Sequence, residues 1–237
     1  MRFYRYFGVA VVALAILLVG GVYAMPSQPT YVTVTNTIIQ APPTTSEDSV
    51  VKVEREDEGH GSGVHLGDGL IITAAHVTKG AGKVAIKSAS GESGAATVLW
   101  ANTDYDIALL RTDLKIAGAS KLDCRTAVLG EQVQSSGNPS QLEFVSSFGR
   151  IAGGARELKP WKTVLITDVT MVMGQSGGPL FEADGRVIGI NVGVMPITSK
   201  VGEDDKGNDI FATSITGYGT AVPSSAVCLL LAKESAQ

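Results

Sequence analysis

The sequence predicts an all-β domain of many short strands, with a hydrophobic helix before it and one short helix at its end. After Ser46, runs rich in β-branched and apolar residues alternate with clusters of Gly, Asp and Ser. The chain has 28 glycines, which suit tight turns because glycine tolerates positive φ. One segment has helical character, with Ser224 as N-cap and Ala226–Lys233 after it. Regular short strands of this kind are typical of a sandwich or of barrels.

The predicted strands extend over the whole region after Ser46. Each is bounded by residues that favour turns. In chain order they are Ser49–Val53, Ser62–Leu66, Leu70–Thr73, Val84–Lys87, Ala96–Trp100, Ile107–Arg111, Glu131–Ser135, Glu143–Ser147, Thr163–Ile166, Pro179–Phe181, Val187–Val194 and Thr220–Val222.

Composition and charge narrow the class of protein. Of the 237 residues, 44% are hydrophobic and 18% are charged, so the chain can bury a sizeable core and suits one or two compact units. The formal net charge is −4, and phosphate binding needs clustered Lys and Arg, so nucleic acid is not an expected partner. Three histidines and two cysteines, Cys124 and Cys228, lack the spacing of metal ligands. We therefore expect no metal and no cofactor.

The first 25 residues differ from the rest of the chain and are predicted to be a signal-anchor or a signal peptide (residues 1–25). Arg2 and Arg5 precede an almost wholly apolar run, Phe7–Met25. About 20 apolar residues suffice to cross a bilayer as a helix, and basic residues before it favour a cytoplasmic N-terminus. The small residues ending at Ala24 equally suit cleavage by signal peptidase. Either outcome, a membrane anchor or a secreted or periplasmic protein, places the remaining chain outside the cytoplasm.

Residues 26–46 are predicted to be a linker and residues 47–237 a globular domain. The linker is rich in Thr, Pro and Ser and carries no charge, although Tyr31–Val34 also suits a short strand. Within the domain, Val201–Asp209 is acidic and polar, and we expect a solvated loop there.

The segment Gly174–Leu180, which reads GQSGGPL, has the residues that a serine nucleophile requires. A serine hydroxyl is a weak nucleophile unless a base removes its proton, and the oxyanion formed on attack needs donors. Glycines beside Ser176 let the backbone turn so that the N–H groups of Gly174 and Ser176 can serve as those donors. The plain alternative is a glycine-rich turn that happens to contain a serine.

The same segment also fits the GxSxG elbow of α/β-hydrolases, and residue order decides between the two. In that fold the catalytic histidine follows the serine in the sequence. All three histidines of this chain, His60, His65 and His76, precede Ser176. The α/β-hydrolase interpretation therefore has no base.

His76 is the histidine best placed to act as a base. It ends the segment Ile71–His76, in which an apolar strand leads into small residues that allow a tight turn. A lone histidine is usually structural, but the whole TAAH sequence matches a catalytic context. His60 and His65 flank Gly61–Val64 and are interpreted as strand or loop residues.

Asp106 is the predicted acid that orients the histidine. It leads directly into the apolar strand Ile107–Leu110, which would carry its carboxylate to the edge of a core. Two other aspartates compete for the role. Asp104 is followed by Tyr105 rather than by an apolar run, and Asp168 lies eight residues before Ser176.

Taken together, these segments resemble the trypsin-like, chymotrypsin-fold serine proteases, and within them the HtrA (Deg) branch. The order His76, Asp106, Ser176 is that of this superfamily. The resemblance covers roughly residues 49–232. Five further segments carry it: Gly61–Val64, Gly137–Pro139, Thr167–Asp168, Val187–Asn191 and Gly219–Ser224.

The resemblance implies two six-stranded antiparallel β-barrels and a C-terminal helix. The first barrel would span about residues 47–115 and carry His76 and Asp106. The second would span about 121–237 and carry Ser176. Gln175 stands where many trypsin-like enzymes have an acidic residue that pairs with a new N-terminus, so activation by N-terminal cleavage is not expected. HtrA proteins usually carry PDZ domains after the protease domain, whereas we expect this chain to be a protease domain without one. The sequence does not indicate its oligomeric state.

The resemblance also implies the position of the S1 pocket and of a disulfide. Neither wall of the S1 pocket has a charged residue, so a substrate Lys or Arg side chain buried there would lack a partner. The pocket therefore predicts cleavage after small to medium apolar residues. Cys124 follows the connection between the barrels and Cys228 lies on the terminal helix, so the two are candidates for one bridge. The pocket walls are Thr170, Met171, Val172 and Met173 on one side and Val192, Gly193 and Val194 on the other.

The predicted function is that of a serine endopeptidase acting on polypeptides. Two alternatives remain open at this point: a catalytically silent protease fold used for binding, and an esterase or other acyl-transfer activity on the same site. The membrane is a further partner through Phe7–Met25 if that segment is not cleaved.

Overall fold

The computed structural model of the chain describes residues 44–234, which form twelve strands and three helices. The predicted signal or anchor and almost all of the predicted linker lie outside the described residues. Among those residues, no helix has the length and apolar character needed to cross a membrane.

Six strands form the first barrel. They pair antiparallel in the order β1-β2-β3-β6-β5-β4, and pairing of β1 with β4 closes the sheet. A helical turn, α1, precedes the barrel, and another, α2, follows β3. The bounds are α1 Thr44–Glu47, β1 Val50–Glu54, β2 His60–Gly67, β3 Leu70–Thr73, α2 Ala75–Thr78, β4 Lys83–Ser88, β5 Ser93–Asn102 and β6 Ile107–Thr112.

Six more strands form the second barrel. Their order is β10-β11-β12-β9-β8-β7, and pairing of β10 with β7 closes it. The C-terminal helix α3 follows the last strand. The bounds are β7 Gln132–Gly137, β8 Val145–Leu158, β9 Trp161–Thr167, β10 Pro179–Phe181, β11 Val187–Glu203, β12 Asp209–Pro223 and α3 Ser224–Glu234.

The two barrels share one apolar core. A contiguous cluster of buried side chains includes Val64 and Ile72 of the first barrel together with Phe181 and Val222 of the second. A smaller cluster lies within the second barrel. A shared core fixes the barrels against each other, because close-packed interiors resist displacement.

The disulfide implied by the resemblance is formed. Cys124 and Cys228 are bonded, with their Cα atoms 5.9 Å apart and a sequence separation of 104 positions. Beside the bridge, the Ser224 hydroxyl donates to the carbonyl of Asp123. The chain entering the second barrel is thereby tied to α3.

Three strands are much longer than predicted: β8, β11 and β12. The prediction of a solvated loop over Val201–Asp209 was wrong only at its ends, because Val201–Glu203 ends β11, Asp209 begins β12, and the exposed residues between them form the turn. In that turn the Asp204 carboxylate accepts from the N–H groups of Lys206 and Asn208. Beyond the barrel both strands are exposed, so no burial pattern marks them as strands in the sequence.

Candidate active site

His76 and Asp106 are brought together by two paired strands. β3 ends at Thr73, which pairs with Ala108 of β6, so the segment that follows β3 and contains His76 lies beside Asp106, the residue before β6. The Asp106 carboxylate accepts from the His76 backbone N–H at 2.8 Å (Oδ1) and from His76 Nδ1 at 2.7 Å (Oδ2). Because a carboxylate only accepts, the proton of a neutral imidazole is on Nδ1, and Nε2 is free to act as a base.

The carboxylate of Asp106 is largely buried, while the imidazole is open to solvent. The side chain of Asp106 is 12% exposed and that of His76 is 50% exposed. The backbone of Asp106 has a φ of 57°, in the left-handed region that aspartate enters more readily than most residues. A third donor, Trp161 Nε1, lies 3.1 Å from Oδ2. The carboxylate of Asp106 is thus held by donors from several directions, and the imidazole of His76 reaches the surface.

Ser176 lies on a turn held by both barrels. Its carbonyl accepts from the Ser62 N–H of β2 at 2.8 Å. On its other side, the Gly177 N–H donates to Asn191 of β11 at 2.7 Å, and the Asn191 N–H donates to Gly178 at 2.9 Å. The Ser176 segment is therefore hydrogen-bonded to both barrels.

Gly177 shows how tightly this turn packs against the segment that carries His76. A Cβ atom at Gly177 would lie 2.2 Å from both the Ser62 carbonyl oxygen and Thr73 Oγ1, and 2.8 Å from the Ala74 nitrogen. Its φ is +85°, which favours glycine. No side chain fits there, and the Ser176 turn sits directly on the residues that precede His76.

The predicted oxyanion donors, Gly174 and Ser176, have backbone N–H groups that donate to no acceptor within residues 44–234. The carbonyl of Met173 accepts from the Ser140 N–H at 2.9 Å. In a trans peptide the C=O and N–H point in opposite directions, so this bond turns the Gly174 N–H away from the Ser140 loop. Backbone N–H groups near the protein interior normally have partners, and two free ones beside a serine suit an oxyanion.

Known proteins match this arrangement. The family model described as "Trypsin-like peptidase domain" matches residues 61–190. The chain belongs to the trypsin-like peptidase family. Among curated relatives, the "Serine protease Do-like HtrA" of Lactobacillus helveticus is 30% identical over 191 residues, covering 76% of this chain and 43% of the relative. A "Probable periplasmic serine endoprotease DegP-like" of Halomonas elongata is 36% identical over 127 residues, covering 52% and 27%.

Solved structures share the fold. The HtrA-type protease AlgW with a tripeptide superposes with a TM-score of 0.64 at 24% identity, covering 80% of this chain and 62% of that one. The Rv3671c protease of M. tuberculosis, in an inactive form, has a TM-score of 0.64 at 23% identity, covering 88% and 98%. The chain spans less than half the length of the curated relatives above. These likenesses confirm a trypsin-like protease domain of HtrA type.

A cavity of about 610 Å³ opens beside the histidine of this trypsin-like domain. Of the residues predicted to form the S1 pocket, Val192 lines it and Gly193 lies against the indole of Trp161. Met171 is buried, and a Cβ atom at Gly219 would lie 2.4 Å from its sulfur. The remaining predicted residues, Thr170, Val172, Met173 and Val194, are exposed or half-buried. The cavity is lined by Ala75, His76, Lys79, Gly80, Ala101, Thr103, Asp106, Pro160, Trp161 and Val192.

The other histidines and Asp168 have separate partners. His65 is buried, with Nδ1 on the Gly118 carbonyl at 2.6 Å and Nε2 accepting from the Gly69 N–H at 3.3 Å. Asp168 accepts from the backbone N–H of Arg150 on β8. His60 lies nearer the site, because its Nε2 is 3.0 Å from the Asn138 carbonyl and would be 2.7 Å from a Cβ atom at Gly174.

Ser62 holds the turn that carries the predicted oxyanion donors, and its local sequence does not indicate this role. Its hydroxyl donates to the Gly174 carbonyl at 2.8 Å and accepts from the backbone and side-chain amides of Asn138 at 2.8 and 3.1 Å. Asn138 belongs to the Gly137–Pro139 motif, but that motif does not indicate Ser62 as its partner. Ser62 and Asn138 are fully buried, so these bonds are shielded from water and hold the turn firmly.

Proposed function

We propose that this chain is a serine endopeptidase that hydrolyses peptide bonds through an acyl-enzyme on Ser176. The observation that carries the proposal is the His76–Asp106 pair, whose two hydrogen bonds leave Nε2 of the imidazole free of the carboxylate. The Ser176 turn packs directly against Thr73 and Ala74, which precede His76. The family membership and the names of the relatives, which are serine endoproteases, support the same class of activity.

The proposed mechanism begins with attack of Ser176 Oγ on the substrate carbonyl while His76 Nε2 takes the hydroxyl proton. Asp106 keeps the imidazole in the required tautomer and stabilises the imidazolium. The N–H groups of Gly174 and Ser176 receive the oxyanion. His76 then protonates the leaving amine, and a water molecule activated by the same nitrogen hydrolyses the acyl-enzyme.

The proposed substrate preference follows from the lack of charged residues in the two predicted walls of the S1 pocket. Thr170–Met173 and Val192–Val194 are proposed to line the S1 pocket, and none of their side chains could pair with a Lys or Arg. Burying an unpaired cation there would be costly, so we propose cleavage after small to medium apolar residues such as Val, Ala or Leu.

The domain is proposed to work outside the cytoplasm. The Cys124–Cys228 disulfide fits an oxidising compartment, and one relative carries "periplasmic" in its name. Phe7–Met25 would hold it at the membrane or be removed after Ala24. N-terminal sequencing of the mature protein separates these two cases, since retention of Arg2 indicates an anchor and a start at Met25 indicates cleavage.

Peptide libraries with matched variants test the proposal. We expect the wild type to cleave after apolar residues, and Ser176→Ala and His76→Ala to lose on the order of 10⁴–10⁶ in turnover while still folding. Asp168→Asn is the control, because Asp168 bonds to Arg150 rather than to His76. A preference for Lys or Arg would refute the proposed specificity. A folded wild type that neither cleaves peptides nor reacts at Ser176 would instead indicate a silent binding protein.

A further inference from the structure

Trp161 makes a contact with Asp106 that the mechanism above does not use. Trp161 is the first residue of β9, at the tip of the β8–β9 hairpin of the second barrel. Its indole Nε1 donates to Asp106 Oδ2 across a sequence separation of 55 residues. Within residues 44–234 the carboxylate has three N–H donors, two of them on His76, and the indole is the only donor outside the histidine.

Two neighbouring contacts fix the hairpin tip against the first barrel. The backbone N–H of Lys162 donates to the Asp104 carbonyl at 2.9 Å. The ammonium of Lys162 lies 5.4 Å from the centre of the Tyr105 ring, within the range of a cation–π interaction. The residue that follows the indole is therefore held, by a backbone bond and a cation–π contact, to the two residues that precede Asp106.

The packing of the indole also depends on a missing side chain. A Cβ atom at Gly193 would lie 2.9 Å from Trp161 Cζ2 and Cη2, which is too close for any residue but glycine without movement of the ring. The ring lines the same cavity as His76 and Val192. In this partly enclosed site a hydrogen bond to a charged oxygen is stronger and better oriented than one in water.

We propose that Trp161 is a positioning residue for Asp106: its N–H holds Oδ2 in the plane in which that oxygen accepts from His76 Nδ1. A hairpin of the second barrel, β8–β9, thereby positions Asp106 of the first barrel. This inference rests on the proposed peptidase function. The competing role for Trp161 is to form a wall of the substrate cavity. The indole nitrogen distinguishes the two roles, because positioning Asp106 requires its N–H group, whereas forming the wall requires only the shape of the ring.

Replacing that atom separates the roles. In the full chain, β-(3-benzothienyl)alanine at position 161 keeps the shape of the ring but has sulfur in place of N–H. We expect kcat for a short peptide ester or anilide to fall about 13- to 160-fold, the range expected for losing one hydrogen bond to a charged group, with KM changed less than about twofold. We also expect the downfield proton resonance of His76 Nδ1–H to shift, which mere loss of packing would not cause.

The other tryptophan supplies the matched control. Trp100 on β5 is half-buried, and its indole N–H makes no hydrogen bond within residues 44–234, so the same replacement there should leave kcat and the resonance unchanged. Trp161→Phe removes both shape and N–H, and should raise KM in addition. Thermal melts confirm that each variant is folded.

Unchanged kcat and an unchanged His76 resonance in the position-161 isostere would overturn the inference and leave Trp161 as a cavity wall. Failure of the proposed function is distinguishable from this. In that case the unmodified protein neither cleaves peptides nor reacts with a serine-directed phosphonate, while the resonance still reports whether the indole N–H positions the carboxylate.

Discussion

The two barrels hold their parts of the site in different ways. In the first barrel, β3 and β6 are paired with each other and almost wholly buried, and their ends bring His76 and Asp106 together. In the second barrel, Ser176 lies on a turn between strands, and its position depends on bonds to Ser62 across the cleft. One sheet thus brings the proposed acid–base pair together, with Trp161 of the second barrel as a further donor to Asp106. The proposed nucleophile and its oxyanion donors depend instead on contacts between the two barrels.

The barrels differ equally in how their strands are supported. Strands of the first barrel end soon after they leave the core. The second barrel extends β11 and β12 into an exposed hairpin, which we term the arm and which consists of Pro196–Ile215. An isolated two-stranded hairpin is marginally stable in water, so the arm should contribute little to the free energy of unfolding. Stability and catalysis should accordingly respond to different parts of the molecule.

The disulfide should give the largest effect on stability. Cross-linking residues about 100 positions apart removes denatured-state entropy worth about 4.7 kcal/mol in the chain-entropy model. We expect Cys124→Ser with Cys228→Ser to lose stability of this order in urea denaturation, and the wild type in reductant to behave like the double variant. If both remained as stable as the oxidised wild type, the second barrel would not depend on this tie.

Two isoleucines compare the barrel core with the arm directly. Ile86 on β4 is fully buried, and truncation to alanine removes apolar contacts and leaves a cavity, at a cost of about 2–5 kcal/mol. Ile215 in the arm is 66% exposed, and the same truncation should change stability by less than about 0.5 kcal/mol. Denaturant titration of both variants tests this difference. A comparable loss for Ile215→Ala would mean that the arm is buried against something in solution.

Substitution of Gly174 should affect the proposed oxyanion donors beside Ser176 but not the hydrogen bonds between His76 and Asp106. A Cβ atom there would lie 2.2 Å from the Asn138 carbonyl oxygen, and the φ of +97° is unfavourable for alanine, so the turn must shift. Losing an oxyanion donor typically lowers kcat about 10²–10³-fold. We expect that loss for Gly174→Ala, with the His76 Nδ1–H resonance unchanged.

Gly207 provides the control for this substitution. It has a similar φ of +79°, lies at the tip of the arm and has open space around it. Gly207→Ala should strain the backbone without affecting kcat. If Gly174→Ala shifted the His76 resonance as well, the two parts of the site would be built as one unit, contrary to the comparison of the barrels.

The smallest expected effect concerns ion pairs that cross between the barrels. Glu143 accepts from Lys87 at 2.6 Å and Lys52 at 3.0 Å, and these bonds lower the pKa of its carboxyl. A carboxyl whose pKa is lower in the folded state stabilises above its unfolded pKa, and that contribution disappears as the pH falls through the folded value. Because the group is partly exposed, Glu143→Gln should lose less than about 1 kcal/mol at pH 7.

The pH dependence provides the check on the sign of this effect. Urea denaturation at pH 7 and again below pH 3 should show the difference between wild type and Glu143→Gln shrinking toward zero in acid. A difference that grew in acid would contradict the direction of the pKa shift.

The sequence predicted the buried part of the fold well and the exposed part poorly. Leu70–Thr73 and Pro179–Phe181 were predicted with their observed bounds, because turn residues flank short buried runs. The extensions of β8, β11 and β12 were missed because their side chains are exposed on the ribbon and show no regular alternation. Whether a polar segment becomes a loop or a protruding hairpin depends on backbone pairing, which hydropathy does not reveal.

The candidate site shows the same limit. His76, Asp106 and Ser176 lie in local motifs that single residues and their neighbours reveal. Ser62 and Trp161 act on partners 112 and 55 positions away, and nothing in their immediate sequence indicates those partners. Only the closed barrels bring these positions together. The local sequences, a serine in a GSG strand and a tryptophan after a proline, do not indicate the contacts that these residues make in the fold.

Labelling with a fluorophosphonate tests the central claim most directly, because the reagent bonds covalently only to a serine activated by a neighbouring base. Intact-mass measurement followed by peptide mapping should show one adduct per chain, located on Ser176. His76→Ala should lose the adduct while its thermal melt stays that of a folded protein. An adduct on another residue, or equal labelling of Ser176 in His76→Ala, would contradict the assignment of Ser176 as a nucleophile activated by His76.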